Sequence, residues 1–336
     1  MRVPSLRRGE SEAELDHAVT RLPTPMAILF WSLVLLVAAW MLHELVDLGG
    51  EKVDDFFHAW VNAAAVWGAA ILCLGGALSE QRGRTAWLLA AAGLFSWALA
   101  DTIWSLRFEQ ATDIPATTIS DVFWLAWYPL IVVSLTLLVR DRVPKFELHR
   151  WIDGVVVMLI LTTPWVALIL QPVTERSTAT AAAEVIEVVY VMGDAVIVGA
   201  VVGVYALMGW RPGRMWLLLG IGLMILAIGD AVYSVQVLEK TYHLGGEFDV
   251  SWAIGALLIG YAAWEPHPGR LEARPVTGWR AIALPVAAQV FAIGIQIYAY
   301  FHELARSERI LTVLILAIAV IQIIVARPRA EDGGGG

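Results

Sequence analysis

Long apolar runs alternate with short polar breaks along almost the whole chain. The runs fall at residues 25–45, 57–78, 86–106, 119–139, 151–171, 184–208, 214–236, 250–264, 279–300 and 310–326. Most contain about 17–25 residues, the length a helix needs to cross a hydrocarbon core of ~30 Å. The eighth is the shortest. It reaches crossing length only by drawing in "EFDVSW" or by running on to Glu265. The pattern predicts an all-α polytopic membrane protein of about ten transmembrane helices. The breaks are too short for a soluble domain between them. The first run, "MAILFWSLVLLVAAWML", is longer than a signal-peptide core and has no small-residue cleavage site, so it reads as a retained helix.

The pattern also repeats. "WLLAAAGLFSWALADTIWS" (87–105) aligns with "WLLLGIGLMILAIGDAVYS" (216–234), with eight identities in 19 positions. "DVFW" at 121–124 then matches "DVSW" at 249–252, and Trp151 and Trp279 open the following runs. Leucines coincide by chance in apolar helices, so the aligned Trp, Asp and Ser positions carry the weight. The expected organisation is a tail (1–24), a half repeat of helices 1–2 (25–78), repeat A of helices 3–6 (86–208), repeat B of helices 7–10 (214–326) and a tail or linker (327–336). A unit of four helices returns to the same side, so the internal four-helix repeat is a parallel one, about an axis along the membrane normal.

Composition sharpens this picture in two ways. Only 16% of residues are charged and 59% are hydrophobic, against roughly 25% charged for a soluble domain. The net charge of −8 says little about partners, because charge is sorted by segment. Seventeen of the 23 Lys and Arg lie in the N-terminal tail, 79–85, 140–150, 209–214, 265–280 and the C-terminal tail. The alternate segments hold only Lys52, Arg107, Arg176, Lys240, Arg306 and Arg309. Basic residues mark the cytoplasmic side, so both termini are expected there, in a multi-pass protein of a bacterial plasma membrane. The partners expected are the lipid bilayer, a small ligand or ion on the outer side and a second copy of the chain, with no nucleic acid. Cys73 is the single cysteine, which excludes an internal disulfide and a thiolate metal site.

Candidate chemistry is acidic. Asp101 and Asp230 sit about five residues from the outer ends of the third and seventh runs, roughly 8 Å deep at ~1.5 Å per residue. Asp194 lies near mid-depth in the sixth run, with Glu187 and Tyr190 above it, and Trp104 and Tyr233 follow Asp101 and Asp230 by three residues. Carboxylates in hydrocarbon turn toward a partner or a polar cavity. Two readings stand for Asp101 and Asp230: one side of an outward-facing acidic and aromatic pocket, or interhelical glue joining the two repeats through Trp, Tyr or Ser. Asp194, Glu187, Tyr190, Trp104 and Tyr233 are the further pocket candidates. Asp121 and Asp249 open the fourth and eighth runs and suit N-caps, accepting bonds from the first helical amides.

Several other features carry less. His43, His58, His243 and His302 show no ligand spacing on one helix face, so no metal site is expected. Trp60, Trp87, Trp151, Trp210, Trp216, Trp264 and Trp279 stand at run ends and read as an interfacial belt. Pro129 and Pro164 are expected to kink their helices. No lysine lies within a run, which rules out a retinal Schiff base, and there is no phosphate-binding loop. "GGEF" at 245–248 lies in an outer loop without a surrounding domain. No catalytic residue and no cofactor is expected, and the chain does not read as an enzyme.

The runs "AWLLAAAGLFSWALADTIWSL", "ISDVFWLAWYPLIVVSLTLLVR", "WIDG", "YVMGDAVIV" and "GWRPGRMWLLLGIGLMILAIGDAVYS" together resemble the N-terminal multi-helix membrane region of actinobacterial signalling proteins. In that family the membrane region precedes cytoplasmic diguanylate cyclase (GGDEF) and often phosphodiesterase (EAL) domains. The likeness covers roughly residues 60–270. Asp101, Trp104, Asp121, Tyr128, Pro129, Asp153, Gly154, Tyr190, Gly193, Asp194 and Asp230 match its recurring pattern. The resemblance implies a sensory input module coupled to cyclic-di-GMP turnover. The four glycines that end the chain read as the start of a flexible linker, so the expectation is the sensory part of a longer protein. The rival expectation is a secondary transporter or channel with Asp101, Asp194 and Asp230 as a cation or proton relay.

Overall fold

An apolar run in hydrocarbon has no water to satisfy its peptide groups, so it closes them internally as a helix. The computed structural model describes residues 22–46, 56–79, 82–108, 117–142, 181–208, 210–242 and 248–266, with a few isolated positions between them, and every described element is helical. They are α1 (Thr24–Val46), α2 (Asn62–Ser79), α3 (Arg84–Arg107), α4 (Ile119–Arg142), α5 (Ala181–Leu207), α6 (Arg214–Glu239) and α7 (Val250–Ala262). A π-helical turn, Phe57–Val61, leads into α2. Six of these segments are long and apolar enough to cross a membrane. The predicted runs 151–171, 279–300 and 310–326 lie outside the described residues.

Most ends fall within three residues of the hydrophobic boundaries, for local reasons. Gly83 and Gly213 precede α3 and α6 with φ of 70° and 78°, a backbone region glycine enters without steric cost. Lys240 ends α6 in the left-handed conformation, its N–H donating to the carbonyls of Gln236 and Val237. Asp121 reaches back over the start of α4: its Oδ2 accepts from Thr118 N–H at 2.6 Å and from the Thr118 hydroxyl at 3.1 Å, satisfying an amide the helix leaves without a partner. The capping position is therefore Thr118, and Asp121 is its partner within the first turn. Asp249 precedes α7 but makes no side-chain cap bond; its Oδ2 accepts from Tyr242 Oη at 3.2 Å instead. With 13 residues, α7 spans only ~20 Å, less than a crossing.

Helices α2 to α7 form a closed circuit of neighbours: α2 on α3, α3 on α4, α4 on α5, α5 on α6, α6 on α7, and α7 back on α2. Helix α1 lies outside the circuit against α2 and α7. Small residues set the closest seams, as in other membrane bundles. A side chain on Gly260 would meet the Ala69 carbonyl at 2.7 Å, and one on Gly222 the Gly255 carbonyl at 2.8 Å.

The tryptophans divide in a way the belt expectation missed. Trp60 and Trp210 are exposed, whereas Trp87 and Trp216 are both 2% exposed in the core. The Trp87 carbonyl accepts from Cys73 Sγ at 3.6 Å, and the Trp216 carbonyl accepts from Tyr205 Oη at 2.9 Å. Trp264 donates its indole N–H to the Leu72 carbonyl at 2.8 Å, tying the end of α7 to α2. Position near a helix end does not decide which face a side chain occupies.

Candidate functional site

The helical hairpins α3–α4 and α6–α7 carry the same construction. Asp101 on α3 is 8% exposed, and its Oδ1 accepts from Trp124 Nε1 of α4 at 2.8 Å. Asp230 on α6 is half-buried, and its Oδ1 accepts from Trp252 Nε1 of α7, also at 2.8 Å. One turn beyond each aspartate an aromatic meets the same tryptophan. Trp104 contacts Trp124 with ring centroids 5.7 Å apart, and Tyr233 contacts Trp252 at 5.9 Å. The bonds join neighbours within each hairpin. Glue directly between the third and seventh runs is not what the side chains make.

The hairpins differ in what else reaches them. Asn62 of α2 donates Nδ2 to Asp101 Oδ2 at 3.2 Å. Asn62 follows directly on the π-helical turn, and Ser105 of α3 donates to the Ala59 carbonyl in that turn at 3.3 Å. Such single turns are rare and, where they occur, frequent at functional sites. Ser234, aligned with Ser105, bonds within its own helix to the Asp230 carbonyl at 2.8 Å.

Between α4 and α5 the donors are tyrosines. Tyr128 Oη donates to Asp194 Oδ1 at 2.9 Å, and Tyr190 Oη donates to Asp121 Oδ1 at 3.0 Å. The two rings meet edge to face at 6.1 Å. Asp194 is 5% exposed, and the Tyr128 ring lies directly on Gly193, where no side chain competes for the space.

These groups share one region. Asp230 lies within Coulombic range of Asp101, Asp194, Tyr128, Tyr190 and Tyr233. Glu187, half-buried one turn before Tyr190, acts on Tyr233, as do Asp121 and Asp249. Six of the seven pocket candidates from the sequence are linked in this way, and Trp104 adjoins them through Trp124, the donor to Asp101. Among the described residues no Lys or Arg pairs with Asp101, Asp194 or Asp230; the ion pair found is Arg214–Glu265, 2.9 Å, at the other end of α6. Nor do three His, Cys, Asp or Glu converge on a metal position among the described residues. His43 instead stacks on Phe57 at 4.8 Å.

Asn62, Thr118, Tyr242 and the bonding role of Tyr128 were not singled out as site chemistry from sequence. Asn62 had a signal: it is the chain's one asparagine and falls inside an apolar run. Chemically, the site offers carboxylate oxygens held by neutral aromatic donors in a low-dielectric interior. That arrangement suits a ligand that donates hydrogen bonds or carries positive charge. Compared with known proteins, the chain matches no family model, no curated protein and no solved structure.

Proposed function

We propose that the chain is an integral-membrane input module of a bacterial signalling protein, reading an outer-side or membrane cue at the acid–aromatic cluster. The output is cytoplasmic, and the resemblance to cyclase- and phosphodiesterase-linked membrane regions names cyclic-di-GMP turnover as that output. The proposed frame is ten spans in a plasma membrane, the eighth of them crossing with the turns that flank the short α7, both termini cytoplasmic, with a parallel four-helix repeat. The recurrent Asp–aromatic–Trp triads support the repeat. The circuit is compatible with it: exchanging α2, α3 and α4 for α5, α6 and α7 keeps the neighbour relations within the circuit, with α1 outside it.

One observation carries the functional reading. Asp101, Asp194 and Asp230 are each occupied by an aromatic donor from a neighbouring helix. Every carboxylate is thus also a helix–helix contact, so a ligand that takes one changes packing. That is what an input module requires. The second reading is a transporter or channel, favoured by the grouping of these acids without a basic partner among the described residues. Reconstitution in lipid vesicles separates the two. The input reading predicts H⁺, Na⁺ and K⁺ fluxes equal to those of empty vesicles. A flux that Asp194→Asn abolishes would establish transport and contradict it.

A further inference from the structure

The seam between α4 and α5 is unlike its neighbours. At α2–α7 and α6–α7 backbones approach through Gly260 and Gly222, and at α3–α4 Ser96 Oγ donates to the Phe123 carbonyl at 2.7 Å while Trp97 packs on Trp127. Between α4 and α5 lies an apolar groove of about 340 Å³, with Tyr128, Pro129 and Val132 on one wall and Val189, Met192 and Val196 on the other. Pro129 has no N–H to give the helix at this level. Beside the groove the helices are held by two bonds of opposite sense. Helix α4 supplies the donor Tyr128 and the acceptor Asp121; helix α5 supplies the acceptor Asp194 and the donor Tyr190.

We propose that this reciprocal pair of Tyr–Asp bonds is a latch on the α4–α5 seam, and that its release uncovers Asp194. The Tyr128 ring rests on Gly193 and also lines the groove, so the groove is the space into which the ring withdraws. The hydroxyl that closes the seam is the one that occupies Asp194. A ligand donating to Asp194 therefore displaces Tyr128, and capture and helix release become one event. Tyr190–Asp121 sets how readily that happens, although the side-chain hydrogen bond of Asp194 is to Tyr128 and that of Tyr190 is to Asp121. The inference rests on the reading of the cluster as the sensing site and supplies its moving part.

The test uses the full chain in lipid vesicles and dicyclohexylcarbodiimide, a membrane-soluble carboxyl reagent, with Asp194 modification followed by peptide mass spectrometry. Tyr190→Phe removes one bond of the latch and is expected to raise the Asp194 labelling rate roughly fivefold. Asp121→Ala breaks the same bond from its other side, together with the two Thr118 bonds at the start of α4, and is expected to act in the same direction and at least as strongly. Alkylation of Cys73, fully buried and bonded to the Trp87 carbonyl, reports general loosening and is expected to stay at the wild-type rate. Asp194 labelling unchanged in Tyr190→Phe but raised in Tyr128→Phe would overturn the latch, since the two bonds would then act separately. A parallel rise at Cys73 would overturn it as well. The labelling reads the seam alone, so its failure is distinct from a failure of the signalling reading, which is tested by flux and output.

Discussion

At the scale of single residues, the site consists of carboxylates held by aromatic N–H and O–H groups, and equivalent positions are not equally supported. Asp101 accepts from both Trp124 and Asn62, whereas Asp230 accepts from Trp252 at the matching position. Interhelical hydrogen bonds in membranes contribute about 0.6 kcal/mol on average, up to about 1.7. Trp252→Phe is therefore expected to lower stability by about 1 kcal/mol and Trp124→Phe by less, because Asn62 still serves Asp101. Thermal unfolding of the two variants in lipid nanodiscs checks the order; an equal or reversed loss would mean Asn62 contributes nothing. A third substitution tests the contact beneath Tyr128. Gly193→Ala places a methyl group against the ring, so it is expected to raise Asp194 labelling as the latch variants do. A rate equal to wild type would show that the ring adjusts without losing its bond.

At the scale of elements, helix boundaries were legible because run length, rather than amphipathic period, marks a helix in hydrocarbon. Gly83, Gly213 and the bonds from Thr118 to Asp121 then trim the ends locally. Side-chain direction was not legible. Trp60 and Trp87 both stand near run ends, yet one is 50% exposed and the other 2%; the difference is set by the neighbouring helix, which a local pattern does not contain. The consequence is measurable. Trp87→Ala is expected to cost about 3–5 kcal/mol, the range for a buried aromatic, while Trp60→Ala costs far less. Unfolding in nanodiscs that gave similar losses would contradict the placement of Trp87. Asp249 was misjudged for a related reason. The capping position was read correctly, but Tyr242 lies near enough to take the carboxylate. The short α7 depends on backbone approach, so Gly260→Leu is expected to destabilise the α2–α7 seam by about 1–3 kcal/mol through overpacking. Leu35→Ala on α1, where Leu35 is 70% exposed, is the neutral comparison.

At the scale of the molecule, the aligned stretches of the sequence correspond to two hairpins that place an aspartate, an aromatic and a tryptophan alike. The grouping of acids in one half of the bundle was legible from depth and spacing, since Asp121 and Asp249 open their runs, Asp101 and Asp230 lie about five residues from the outer ends and Asp194 lies near mid-depth. What spacing did not contain was the partner of each acid: Tyr128 and Asp194 are 66 residues apart, and Asn62 and Asp101 are 39. Those partners turn the choice between glue and pocket into a single statement. The carboxylates join helices, and under the proposed function they are also the groups that a ligand takes. Joining the whole chain at Gly336 to a diguanylate cyclase domain gives the most direct measurement of that account. Asp194→Asn keeps an acceptor for Tyr128 while removing the carboxylate, so the fold is preserved and the site is not. The account predicts a change in cyclic-di-GMP output of about fivefold, the effect of roughly 1 kcal/mol on a two-state equilibrium, at equal protein level. Output indistinguishable from the wild-type fusion would contradict it.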